Sequence, residues 1–149
     1  VAKFIWLAGD ESTNMEGPIS TLPSIAKWAL SQLTTHQYNV AAGDQFMQST
    51  LTTIFESDLW NSNEATAVFL SFDEDYNNIS FGIGNEGNHV VTVVIPNEAA
   101  ILSGMKSGPF VATDYYNHYS LQRTIELALG LDPLTNNDKY AQPMNEFWT

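Results

Sequence analysis

The chain has 149 residues, 44% of them hydrophobic, with 17 acidic against 5 basic side chains, a formal net charge of -12 and no cysteine. That length supplies the core of one domain, and the missing thiols exclude disulfides and thiolate-held zinc. Lys3, Lys27, Lys106, Arg123 and Lys139 are scattered, which argues against nucleic acid and anionic membrane surfaces, since both need clustered cations. No apolar run approaches the roughly 20 residues of a membrane span. The chain opens at Val1 and runs straight into Phe4-Ile5-Trp6-Leu7, with no charged start and apolar leader. Such a beginning in mid-fold, on an acidic chain without cysteine, leads us to expect a processed, secreted protein.

In chain order, residues 1–7 read as a strand and 9–18 as a polar loop. Leu22, Ile25, Ala26, Ala29, Leu30 and Leu33 recur at helical spacing and predict a helix over 20–34, with Pro23 accepted in its first turn. A second helix is expected over 44–57, with Phe46, Met47, Leu51, Ile54 and Phe55 on its apolar side and Asp44 placed to cap it. Asn61-Ser62-Asn63 breaks the chain before a strand over 66–72. The Asn- and Gly-rich stretch 77–88 holds at most a short strand around 79–83. His89-Val90-Val91-Thr92-Val93-Val94-Ile95 is a β-branched run stopped by Pro96, the pattern of a central buried strand. A loop over 103–116 leads to Asn117 as N-cap, and a helix over 120–129 ends at Gly130. The tail is irregular and aromatic. Alternating strands and helices predict an α/β fold, a layered sheet with flanking helices.

The residues that invite chemistry lie where Thr66-Ala67-Val68-Phe69-Leu70-Ser71-Phe72 runs into Asp73-Glu74-Asp75. Three consecutive acids most often form a solvated turn. Here, however, the preceding apolar run marks an interior strand, and ligands in open α/β sheets bind beyond the carboxyl ends of such strands. Acids crowded there repel one another unless a proton or cation sits among them, so we read a site for a hard metal. His118 stands at a helix start, where the positive end of the dipole keeps the imidazole neutral and able to bind metal. It serves equally well as a hydrogen-bonded loop residue. His89 reads as a boundary residue of its strand and His36 as solvent-exposed. Arg123 is expected to pair with Glu126 or Asp114. Asn78-Ile79-Ser80 fits a glycosylation triplet of the kind that arises often by chance.

An ordered set of segments then carries a resemblance. Ala42-Gly43-Asp44-Gln45-Phe46, the strand from Thr66 ending in Asp73-Glu74, His89-Val90, Tyr116-Asn117-His118-Tyr119-Ser120-Leu121-Gln122-Arg123-Thr124-Ile125-Glu126 and Gly130-Leu131 occur in this order. Together they resemble the phosphoesterase family of non-zinc phospholipases C and acid phosphatases, within the alkaline phosphatase superfamily. The likeness runs from Trp6 to Phe147 but matches only the C-terminal half of a full member, so the chain is expected to be a single domain or half-domain. The His-Tyr-Ser-Leu-x-Arg-Thr-Ile-Glu stretch is its most specific part.

The resemblance implies that Asp73 and Glu74 are metal ligands and that His118 lies beside metal and phosphate in a catalytic role. Asp44 matches a Gly-Asp motif with a structural role near the site. The loop after Trp6 is similar to an Asn-Asp-x-His segment, with Asn14 and Glu16 where the family has Asp and His. Both still offer oxygen, which favours Ca²⁺, Mg²⁺ or Mn²⁺ over zinc. The family's Ser or Thr nucleophile precedes everything present here, and Ser12 and Thr13 belong to a different motif. A phosphate-ester hydrolase completed by an N-terminal half or partner chain is therefore expected. The alternative is a non-catalytic, acidic, metal-stabilised extracellular module that serves binding or structure.

Overall fold

A computed structural model describes residues 4–10, 13–15, 40–74 and 89–148. The helix expected over 20–34, the short strand around 79–83, Glu16, His36, Asp75 and the Asn78 triplet lie outside the described residues. The chain divides into two compact units, one built from Asn61–Asp73 with Val90–Thr149 and the other from Ala2–Trp60 with Glu74–His89.

The first unit is mixed α and β. Strand β1 (Ala67–Ser71) pairs antiparallel with β2 (Thr92–Pro96), in a register that sets Val68 against Ile95, Phe69 against Val94 and Leu70 against Val93. Branched and aromatic side chains facing one another are the unit of sheet stability. At one end the Ser71 and Thr92 hydroxyls hydrogen bond at 2.8 Å, and at the other the Asn97 N–H donates to the Thr66 carbonyl at 2.9 Å. Among the described residues the sheet has these two strands alone, so each has one described neighbour, and Val93 of β2 is 43% exposed where its apolar run suggested a buried central strand.

Helix α2 (Glu98–Leu102) follows at once. It is capped by Asn97, whose side-chain oxygen accepts from Ala100 N at 2.8 Å and from Thr66 N at 3.0 Å while its amide donates to the Glu64 carbonyl at 2.9 Å. One buried side chain thus ties the entry to β1, the exit of β2 and the start of α2 together. Helix α3 (His118–Leu129) begins with a reciprocal capping box, Asn117 accepting from Ser120 N and Ser120 Oγ accepting from Asn117 N. It ends at Gly130, whose φ of 66° is open to glycine at no steric cost. A short helix α4 (Asn136–Lys139) is capped by Thr135, and the tail closes with a 3-10 turn over Asn145–Phe147.

The interior of this unit is unusually polar. Buried apolar side chains are Ala100, Met105 and Met144, whereas Asn97, Ser120, Thr124, Glu126 and Asp138 are also buried. Glu126 and Asp138, each 1% exposed, are the largest fully buried side chains among the described residues. The tail braces this interior: Met144 N donates to Thr124 Oγ1 at 2.8 Å, Lys106 N donates to the Phe147 carbonyl at 2.9 Å, and Met105 bridges Trp148. The Lys106 ammonium sits 3.8 Å from the centre of the Phe110 ring, which meets Phe147 edge-on at 5.6 Å.

The second unit contains helix α1 (Val40–Phe55), which starts four residues before the expected position. Val40-Ala41-Ala42 continues the helix backwards, since alanine is the strongest helix former. Asp44 therefore lies inside the helix rather than at its cap, and its side chain is exposed. Phe46, Met47, Leu51, Ile54 and Phe55 form the half-buried side, as their spacing predicts. Phe4–Leu7 does not form the expected strand: no described strand pairs with it, and Trp6 is 75% exposed. A strand needs a partner for its backbone groups, and hydrophobicity alone does not supply one.

Candidate functional site

His118 occupies the first position of α3, immediately after the capping residue Asn117. Capping fixes the direction in which the helix leaves the loop, so the imidazole emerges at the helix's positive end. Its Nε2 lies 2.8 Å from the backbone carbonyl oxygen of Asp73, 45 residues earlier. A carbonyl only accepts, so Nε2 carries the hydrogen, and in the neutral ring Nδ1 holds the lone pair. An imidazole oriented through one nitrogen by a backbone carbonyl, with the other turned to a ligand, is the usual arrangement of a metal-binding histidine.

Asp73 is where β1 has just ended: Phe72 N still donates to the Val91 carbonyl at 3.4 Å, and the following Asp73 is exposed. The structure thus brings together the two elements singled out in the sequence, the acidic strand end and the histidine of the last long helix. The contact uses the Asp73 main chain and leaves its carboxylate exposed. Glu74, also exposed, belongs to the second unit, as does Asn14. Among the described residues no group of three or more His, Asp or Glu stands close enough to hold a metal ion.

Asn14 is half-buried in a turn that begins at Asp10, where Thr13 N donates to the Asp10 carbonyl at 2.9 Å and Thr13 Oγ1 donates to Asp10 Oδ1 at 3.0 Å. The Thr13 hydroxyl also accepts from Asp10 N at 2.9 Å, so it closes a turn instead of standing ready as a nucleophile. Met15 follows with a left-handed φ of 66° and lies against Gly43 of α1. A Cβ at Gly43 would collide with Met15 Cγ and come within 2.8 Å of the Thr13 carbonyl oxygen. That close approach explains the glycine of the Gly43-Asp44 pair: it lets the Asn14 turn rest on the helix.

Ser120, Thr124 and Glu126 of the His-Tyr-Ser-Leu-Gln-Arg-Thr-Ile-Glu stretch are buried. Ser120 closes the capping box, and Thr124 Oγ1 donates to the Ser120 carbonyl while receiving Met144 N. Glu126 accepts from Gln122 Nε2 at 3.0 Å and Leu134 N at 3.3 Å, and pairs with Arg123 Nη1 at 3.5 Å. Of the two partners expected for Arg123, Glu126 is the one found. Asp138 accepts from Leu134 N at 2.7 Å, Thr135 N at 2.8 Å and the Thr135 hydroxyl. Burial pushes the Asp138 carboxyl up, but the hydrogen bonds from the Thr135 hydroxyl and the Leu134 N–H outweigh it and hold the group far below the usual carboxylate range.

Two side chains that organise the fold were not singled out in the sequence. Asn97 carries a local signal, Asn following a strand-stopping Pro96 and preceding Glu98-Ala99-Ala100. Glu146 carries none, because its partners lie 30 to 33 residues away. Its carboxylate accepts from Thr113 N at 3.1 Å, Thr113 Oγ1 at 3.0 Å, Asp114 N at 2.8 Å and Tyr116 OH at 3.2 Å. The Asp114 and Thr113 N–H groups hold the Glu146 carboxyl below its ordinary value, and burial pushes the Tyr116 hydroxyl up.

Protein-family models, curated proteins and solved structures were compared with the chain, and none matches.

Proposed function

We propose that this chain supplies the metal- and phosphate-binding half of a secreted phosphate-ester hydrolase, of phospholipase C or acid phosphatase type, built on a layered α/β sheet. The observation that supports the reading most is the 2.8 Å approach of His118 Nε2 to the Asp73 carbonyl, because it joins the two segments on which the resemblance depends. The residue types that the resemblance assigns to the metal, Asp73, Glu74, Asn14 and Glu16, offer oxygen and so suit a hard divalent cation.

A phosphate ester is an anion, and a chain of net charge -12 repels it at any distance that salt does not screen. A divalent cation held at the Asp73 carboxylate would reverse that sign locally and polarise the phosphoryl oxygens. His118, its Nε2 hydrogen committed to the Asp73 carbonyl, keeps Nδ1 as a lone-pair donor. That nitrogen would serve to complete a metal's ligand set or, once protonated, to orient a phosphoryl oxygen. The attacking hydroxyl comes from outside these 149 residues, in a preceding segment or a partner chain.

The reading is tested by titrating the chain with phosphocholine, in Mn²⁺ and then in EDTA, by calorimetry. Metal-dependent binding that falls at least tenfold in His118→Gln and in Asp73→Asn supports it. Mn²⁺ binding without phosphocholine binding contradicts it and favours the acidic, metal-stabilised module.

A further inference from the structure

The Thr113–Asn117 segment carries His118 to its position, yet it has no helix or strand of its own to hold it. What holds it is the C-terminal tail. Glu146 gathers two successive backbone N–H groups, one hydroxyl and one phenol from residues 113, 114 and 116 onto a single carboxylate, and Gln142 Nε2 donates to Asp114 Oδ2 at 2.6 Å beside them. Glu146 is itself set in a braced turn: Met144 is buried and tied to Thr124, Phe147 accepts from Lys106 N, and Trp148 bridges Met105. From Tyr116 only Asn117 intervenes before His118. The capping box fixes the local direction of α3, but it does not fix where the incoming loop stands relative to β1. Among the described residues, the loop's ties to the tail and the His118–Asp73 hydrogen bond carry that information.

We propose that Glu146 is the positioning residue for His118: by clamping residues 113–116 it holds the imidazole in reach of the Asp73 carbonyl and fixes its Nε2–H tautomer. A carboxylate suits this task because its two oxygens accept several donors at once, and charge-assisted hydrogen bonds are about twice as strong as neutral ones. Any catalytic meaning of the clamp rests on the function proposed above; the clamp itself does not.

The test is a long-range proton–nitrogen correlation spectrum of the histidine rings in the metal-free chain, at fixed neutral pH. The chain has three histidines, and His118→Gln assigns the ring in question. In the wild type His118 is a single Nε2–H tautomer, its Nε2 proton protected from exchange. In Glu146→Gln, which keeps the shape but leaves one accepting oxygen, the tautomers mix and protection falls at least fivefold, while His89 is unchanged. Glu146→Ala abolishes the single tautomer altogether. Should Glu146→Ala not fold, Glu146→Gln and Thr113→Val, which removes only the hydroxyl donor, carry the test. An unchanged His118 ring in folded Glu146→Gln and Thr113→Val overturns the proposal. Since no metal or substrate is present, a chain that binds no phosphocholine yet shows the His118 coupling refutes the function and leaves the clamp standing.

Discussion

The two ends of helix α3 put ionisable groups to opposite use. Towards its middle and C-terminus Glu126 is buried against Asp138, and both receive hydrogen bonds from Leu134 N–H and neighbouring groups. At its N-terminus His118 is exposed and reaches over 45 residues to the end of β1, where the Asp73 carboxylate is exposed as well. Buried carboxylates surrounded by donors are structural; they hold the tail and the 131–135 turn where apolar side chains are few. Exposed groups brought together from distant segments contribute little to stability. A motif can therefore mix letters of both kinds: in His-Tyr-Ser-Leu-Gln-Arg-Thr-Ile-Glu the serine, threonine and glutamate hold the scaffold, and the histidine alone faces the strand end.

The comparison breaks first at Glu126. Glu126→Ala strips buried partners from Gln122 and Arg123 and is expected to cost about 3 kcal/mol, read as a lower midpoint in urea denaturation. A change under about 0.5 kcal/mol would remove Glu126 from the scaffold. Asn97→Ala comes next, at about 2 kcal/mol, because it removes a helix cap and leaves the Thr66 N–H without its acceptor.

Acid sharpens the same contrast. Asp138 and Glu146 have lowered folded values, so between those values and the ordinary carboxylate range of about 4 the unfolded chain binds more protons. Their contribution is complete above that range and fades as the pH falls through the folded values. Thermal stability should therefore drop steadily as pH falls below about 4, and the slope should shrink in Glu146→Gln. A flat profile there would contradict the hydrogen bonding described for both groups. The smallest effect belongs to His118→Gln, which should change stability by less than about 0.5 kcal/mol, as expected for an exposed side chain.

What the sequence revealed depended on range. Helix α3 with its Asn117 cap and Gly130 terminus was legible because every signal lies within one or two turns of the helix end it sets. The apolar side of α1 was legible from its spacing, although its start was misplaced because Gly43-Asp44 reads as a cap while Ala41 and Ala42 extend the helix past it. The Thr135-Asn136-Asn137-Asp138 capping box is equally local and open to the same reading. Pairing was not legible: an apolar run such as Phe4–Leu7 looks like a strand whether or not a partner exists, and β2 looks central though it has one described neighbour. At the candidate site the residue types at positions 73 and 118 were visible, and so was their order. Their meeting through a main-chain oxygen, and the role of Glu146 some 30 residues beyond the loop it holds, depend on tertiary folding that no local pattern encodes.

Manganese relaxation broadening tests most directly the claim that the α3 tip, and not its buried carboxylates, is where a ligand binds. With Mn²⁺ added well below one equivalent, the His118 ring signals and the Asp73 amide should broaden first, while the amides of Glu126, Asp138 and Glu146 stay sharp. Broadening that spreads evenly over the acidic surface, or that leaves His118 untouched, would contradict the account.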